Sequence, residues 1–172
     1  MEKIWLESYT KETPPEIDPD VYPSLVELLE ETFANFPSKI AYRNMNTSLT
    51  YRELEEKSRN FASYLQNTLN LKQGDRVAIM MPNLLQYPVA LFGILRAGLV
   101  AVNTNPLYTP DEVIHQLNDS GAKAIIVLAN FAYTIAKAQD QLQTVQQVIV
   151  TEIGDLFSWA KRNMVNLVIK HI

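Results

Sequence analysis

Gly74-Asp75-Arg76-Val77-Ala78-Ile79-Met80-Met81-Pro82-Asn83 opens a stretch that runs through Leu99-Val100-Ala101-Val102 to Ala124-Ile125-Ile126-Val127-Leu128. It reads strand, helix, strand, helix, strand. Its strand segments are apolar without alternation, the pattern of a parallel sheet covered by helices on both faces. Working downstream, Val145 to Thr151 is a fourth core strand, after a helix over residues 131–142. The four strands begin at 77, 99, 124 and 145, intervals of 21 to 25 residues that suit right-handed strand–helix–strand crossovers. The fold class is therefore α/β.

Helix signals agree with that frame. Residues 84–97 form an apolar helix with Pro88 near its start and Gly98 placed as its C-terminal cap. Thr109-Pro110-Asp111-Glu112 supplies a cap, a proline at the first position and acids in the first turn of the next helix, which Gly121 ends. Upstream, Ser24-Leu25-Val26-Glu27 and Thr50-Tyr51-Arg52-Glu53 are capping boxes. The first opens a helix with Leu25, Leu28, Leu29, Phe33 and Phe36 on one stripe. The second opens a helix burying Leu54, Phe61, Ala62, Leu65 and Leu69, with Glu55 and Arg59 paired four apart on the wet face. Between them, Ile40–Tyr42 and Thr47–Leu49 flank Asn44-Met45-Asn46 as a hairpin. Residues 1–23, with Pro14, Pro15, Pro19 and Pro23, read as an extended N-terminal arm pinned by Trp5, Leu6 and Tyr9. Residues 24–172 then form the α/β unit. Its last helix, from Asp155 to Ile172, carries Leu156, Ala160, Met164, Leu167, Val168 and Ile172 on one face and Lys161, Arg162 and Lys170 beside them. Two readings stand for it: a helix packed on the sheet, or a membrane-surface helix.

Composition excludes several classes. A net charge of −4 in 172 residues argues against nucleic acid as the main partner, since phosphate binding needs a basic face. With no cysteine, disulfides and thiolate metal sites are ruled out. The N-terminus has no long apolar core of the signal-peptide kind, so a cytoplasmic location is expected; the membrane-surface reading of the last helix would add peripheral contact at the inner face of the membrane. Five glycines make neither a GxGxxG nor a GxxxxGK[ST] loop, and His115 and His171 lie far apart in sequence. Chemistry is therefore sought by position. In an open parallel sheet, ligands bind beyond the carboxyl ends of the strands. Those ends carry Asn83, Asn103 and Asn105, with Tyr108 close behind, and these four are the candidate pocket rim. No catalytic residue and no metal ligand is assigned.

The residues then carry a resemblance. Leu49-Thr50-Tyr51-Arg52-Glu53-Leu54 resembles the Leu-Thr-Tyr-x-Glu-Leu signature near the start of adenylate-forming (AMP-binding) enzymes. The run from Met81-Pro82-Asn83-Leu84-Leu85-Gln86-Tyr87-Pro88 to Arg96-Ala97-Gly98, followed by Asn105-Pro106-Leu107-Tyr108-Thr109-Pro110, is similar to bacterial long-chain fatty-acid–CoA ligases. The similarity extends over essentially the whole chain. It implies ATP-dependent activation of a fatty acid to an acyl-adenylate and its transfer to CoA, with Mg2+ on the phosphates, so that fatty acid, ATP, CoA and Mg2+ are the implied partners and cofactors. The family's Thr/Ser/Gly-rich ATP loop, ribose-binding aspartate and catalytic lysine have no counterpart here. The resemblance therefore implies an N-terminal piece of a longer enzyme, inactive alone and prone to self-association through the arm or the last helix. The alternative is a stand-alone interaction or membrane-docking module.

Overall fold

The computed structural model describes residues 3–170. Helix α1 (Leu25–Asn35) leads into a two-stranded antiparallel hairpin, β1 (Ile40–Asn44) and β2 (Thr47–Thr50), whose turn residues Met45 and Asn46 both have positive φ. This is the two-residue hairpin geometry that matches strand twist. Helix α2 (Tyr51–Asn67) follows. The alternation then begins: β3 (Arg76–Met80), α3 (Gln86–Arg96), β4 (Val100–Asn103), α4 (Pro110–Ser120), β5 (Ala124–Leu128), α5 (Ala132–Ala138), β6 (Gln147–Thr151) and α6 (Trp159–Lys170). The four long-range strands form one sheet in the order β4-β3-β5-β6, every pair parallel.

Alternate residues of each strand go to opposite faces, and both faces are covered. Val77, Ile79, Ala124, Ile126 and Leu128 lie under α2 and α3 with Ala62, Leu65, Ala90 and Ile94. Ala78, Met80, Ile125 and Val127 lie under α4 and α5 with Val113, Leu117, Ile135 and Ala138. Two-sided burial is why the strand segments carry no polar alternation. Both Thr50 and Thr109 complete capping boxes, accepting from the third helical amide while Glu53 and Glu112 reach back. Those returned hydrogen bonds hold the Glu53 and Glu112 carboxyls below the usual carboxylate range. At α1 the Ser24 hydroxyl accepts from the Glu27 amide. The Glu55–Arg59 pair forms at 3.3 Å.

Several expectations shift by a residue or two at element ends, as they do wherever helices fray. The helix expected over 131–142 is regular only over Ala132–Ala138, with a tight 3-10 turn on either side. The arm is not extended throughout: Ile4–Ser8 is a short 3-10 helix with no buried residue, and Trp5 and Tyr9 stay about half exposed.

The last helix departs most. It begins at Trp159 rather than Asp155, because the Asp155 carboxylate accepts from the Glu152 amide and the Thr151 hydroxyl and folds residues 152–158 into turns. The stripe expected to pack is the outer one: Met164, Leu167 and Val168 are exposed, and Val165 is buried instead. Val165 and Phe157 join Phe33, Leu49, Leu54 and Leu85 in a third core beside the sheet. Lys161, expected in solvent, donates to Thr47 Oγ1 at 2.9 Å and to the Met45 carbonyl and sits over the Phe157 ring. Thus α6 docks on the hairpin. Among the described residues no helix is long and apolar enough to cross a membrane; His171 and Ile172 lie outside them.

Candidate functional site

The chain leaves β3 for β4 on one side of the sheet, and leaves β5 for β6 on the other. The order therefore reverses between β3 and β5, and the crevice beyond their carboxyl ends is where ligands bind in open α/β sheets. Two cavities open at that end.

The first, of about 350 Å³, lies between the hairpin and the start of α3. Asn83, Tyr87, Leu91, Tyr42, Arg43 and Asn44 line it. Asn44 donates its amide to the Asn83 carbonyl at 3.3 Å, while its own Oδ1 is buried and accepts nothing among the described residues. A buried acceptor without a donor is uncommon, and here it offers one hydrogen-bonding position to a ligand hydroxyl or amide. Partial burial, with Tyr51 a second influence, pushes the Tyr42 phenol above its ordinary value, so it too remains a donor.

The second cavity, of about 250 Å³, lies at the ends of β5 and β6 and is lined by Ala129, Asn130, Glu152, Ile153, Asn166 and Ile169. Its wall is set by a relay. Asn166 on α6 donates to the Glu152 carboxylate at 2.6 Å and accepts from the Gly154 amide at 2.8 Å. Gly154 is required there, since a Cβ would stand 2.6 Å from Asn166 Oδ1 and 3.0 Å from the Arg162 carbonyl. From the other side the buried Gln86 amide donates to the carbonyls of Glu152 and Ile153, at 2.7 and 3.2 Å. The lining mixes amides, one acid and two isoleucines. A triphosphate would meet no cationic side chain in it, and among the described residues no cluster of acids or histidines could hold a metal ion. The lining does not fit ATP with Mg2+; it suits an apolar body with neutral hydrogen-bonding groups.

Of the four rim candidates, two fall together. Asn83 lines the first cavity, and Asn103 accepts from Tyr87 of the same wall at 2.9 Å. Asn105 and Tyr108 do not. The Asn105 side chain accepts from the Leu107 amide, closing the turn after β4, and Tyr108 packs with the α4–α5 core. The strand-end rule that found Asn83 would also have found Asn130 and Glu152, immediately beyond β5 and β6. Asn166 carries no such signal.

Comparison with known proteins supplies what the geometry leaves open. The chain is 57% identical over all 172 residues to a long-chain-fatty-acid–CoA ligase of Escherichia coli O157:H7, and covers 30% of that protein. It thus spans about 30% of the length of such curated relatives. Among solved structures it superimposes on a benzoate CoA ligase from Burkholderia xenovorans LB400 with a TM-score of 0.68 at 33% identity, covering 73% of this chain and 25% of the other. A Mycobacterium tuberculosis fatty acyl CoA synthetase gives 0.69 at 28%, covering 82% and 28%. The α/β fold, a parallel sheet flanked by helices, matches part of each of these proteins. The family model described as AMP-binding enzyme matches residues 29–167, from the middle of α1 almost to the end of α6, and the chain belongs to that family.

Proposed function

We propose that these 172 residues supply the first α/β layer of an enzyme that joins a long-chain fatty acid to CoA at the expense of ATP. The observation that carries the reading is the 57% identity, unbroken over the chain, to a protein of that name. In the reaction a carboxylate oxygen attacks the α-phosphorus of ATP and pyrophosphate leaves. The CoA thiol sulfur then attacks the acyl carbon and AMP leaves. The described residues offer no ligand set for the Mg2+ that such phosphates use, so no step is assigned to it on this chain. The residues of this chain act as scaffold and pocket wall, with Asn83 and Asn103 at the rim, and cytoplasmic residence goes with the use of ATP and CoA. The 172 residues alone are expected to give no fatty-acid-dependent ATP–pyrophosphate exchange, whereas the same sequence within a polypeptide of its relatives' length gives it. Exchange by the short chain would overturn the scaffold reading. Its absence from the long one would overturn the ligase reading.

One observation favours peripheral membrane contact as well. Met164, Leu167 and Val168 leave an apolar side of α6 open. Two of its cations are engaged elsewhere, Lys161 on the hairpin and Arg162 with Asp155 at 3.1 Å. Contact would therefore rest on apolar insertion, with little dependence on lipid charge. Co-flotation with neutral phosphatidylcholine vesicles that Met164→Ser/Leu167→Ser abolishes is expected; flotation that requires anionic lipid would contradict it. Self-association belongs to the same proposal, supported by the exposed apolar side chains Met164, Leu167 and Val168 of the last helix.

A further inference from the structure

Gln86 is the first residue of α3, the helix that follows β3. Its side-chain Nε2 donates to the carbonyls of Glu152 and Ile153, the two residues that follow β6, at 2.7 and 3.2 Å. In the order β4-β3-β5-β6 those two strands are not neighbours, since β5 stands between them. One side chain therefore links the exit of β3 to the exit of β6. Gln86 is 8% exposed and both acceptors lie within the chain, so the tie depends on no open edge, face or cavity.

The chemistry of the tie is specific to an amide of this length. Two carbonyls are both acceptors, so only the amino end of the amide can face them, and its two hydrogens supply one bond each. Leucine has a similar volume and no donor. Asparagine is one methylene short. An ionised glutamate would set an acceptor against two acceptors, and a buried carbonyl without a donor is costly.

What the tie holds is a run of turns. The Glu152 amide donates to the Asp155 carboxylate, the Asp155 amide to the Glu152 carbonyl and the Phe157 amide to the Gly154 carbonyl. Such short-range bonds close the turns without fixing where they stand on the sheet. Asn166 holds Gly154 and the Glu152 carboxylate from α6, and Gln86 holds the same segment from α3. Ile153, whose carbonyl it takes, packs with both the core under α2 and α3 and the third core.

We propose that Gln86 is a positioning residue: through its paired hydrogen bonds to Glu152 and Ile153 it fixes the segment after β6, and the Glu152 carboxylate with it, relative to the exit of β3. Ligands of open α/β sheets bind beyond those exits, so a loosened segment alters the site without removing a reacting group. The effect on catalysis rests on the ligase reading above; the placement of the segment does not.

The first test is amide hydrogen exchange by NMR on the 172-residue chain. In Gln86→Leu the protection of the Glu152, Gly154, Asp155 and Phe157 amides should fall about tenfold or more, the scale of one buried hydrogen bond, while the ladder between β3 and β5 keeps its own. Gln86→Glu adds a readout that lost packing does not imitate. Burial beside two carbonyls favours the protonated carboxyl, which regains one donor, so protection relative to wild type should rise as pH falls from about 8 to about 5.5. Glu152, Asp155 and Arg162 are common to all three proteins, so the ratio isolates position 86, and the leucine variant should show no such trend. In a polypeptide of its relatives' length, fatty-acid-dependent ATP–pyrophosphate exchange should drop in both variants at about pH 8 and recover at lower pH in the glutamate variant alone. Equal loss of protection in segment and ladder, or a glutamate variant without a pH response, overturns the positioning role. Unaltered pyrophosphate exchange in both variants overturns its bearing on catalysis. A wild-type long polypeptide without that activity overturns the ligase reading, and hydrogen exchange on the short chain still decides the tie.

Discussion

Ile79→Ala is expected to destabilise the protein by about 3 kcal/mol, within the range of 2 to 5 found for large-to-small changes in cores. Ile79 is 1% exposed, on a central strand, in register with Asn103 on one side and Ile126 on the other. It lies in the larger core cluster under α2 and α3. Strands on both sides are tied by the ladder and cannot close around the void, so the cavity cost adds to the lost transfer energy. Native stability of a domain is only about 5–15 kcal/mol, and losing the three outer carbons of Ile79 removes a sizeable share of it. Urea titration should show a lower midpoint with unchanged slope. A loss under about 1 kcal/mol would mean that the sheet relaxes around the site and that the core is less tightly held than its burial implies.

Gly93 is the second sensitive position. Helices α2 and α3 pack closely there: a Cβ on Gly93 would lie 2.7 Å from Phe61 Cδ1 and 3.1 Å from the Ser58 carbonyl. Glycine in a helix interior costs about 1 kcal/mol relative to alanine, so the propensity term favours Gly93→Ala. Overpacking opposes it by about 1–3 kcal/mol. The Phe61 ring is half-buried and can turn aside, but the Ser58 carbonyl belongs to the α2 backbone and moves only with the helix. Packing therefore wins: Gly93→Ala should lose about 1 kcal/mol, and Gly93→Val, branched at the point of contact, about 3 kcal/mol or more. In a Phe61→Ala background the alanine penalty should shrink, giving a coupling of about 0.5 kcal/mol or more in the double-mutant cycle. Additive losses would show that Phe61 is not the clashing group.

What could be seen in the sequence tracks how local its cause is. Ala124–Leu128 is found residue for residue, because a strand buried on both faces must be apolar throughout. The boxes at Thr50 and Thr109 and the left-handed Gly121 follow from a few neighbouring side chains. The last helix does not. Periodicity displays two apolar stripes on α6, and only the hairpin, more than a hundred residues away in sequence, decides that Val165 rather than Met164 turns inward. The site divides likewise. Strand-end position points equally to Asn83, Asn103, Asn105 and Tyr108, and the side chains of the last two also serve a turn and a core. Asn166 reaches the second cavity only because α6 docks as it does.

That docking also sets an order of events during synthesis. The third core contains Phe33, Leu49 and Leu54 from the beginning of the chain and Phe157 and Val165 from its far end. A ribosome adding about 5–20 residues per second needs on the order of ten seconds to pass from the hairpin to α6. Throughout that interval the nascent hairpin and α1 can meet α2, Leu85 and α3 but lack the cover that Phe157 and Val165 supply. The hairpin is thus made early and completed late. It is also the segment that a chaperone holding newly made chains would find uncovered for longest.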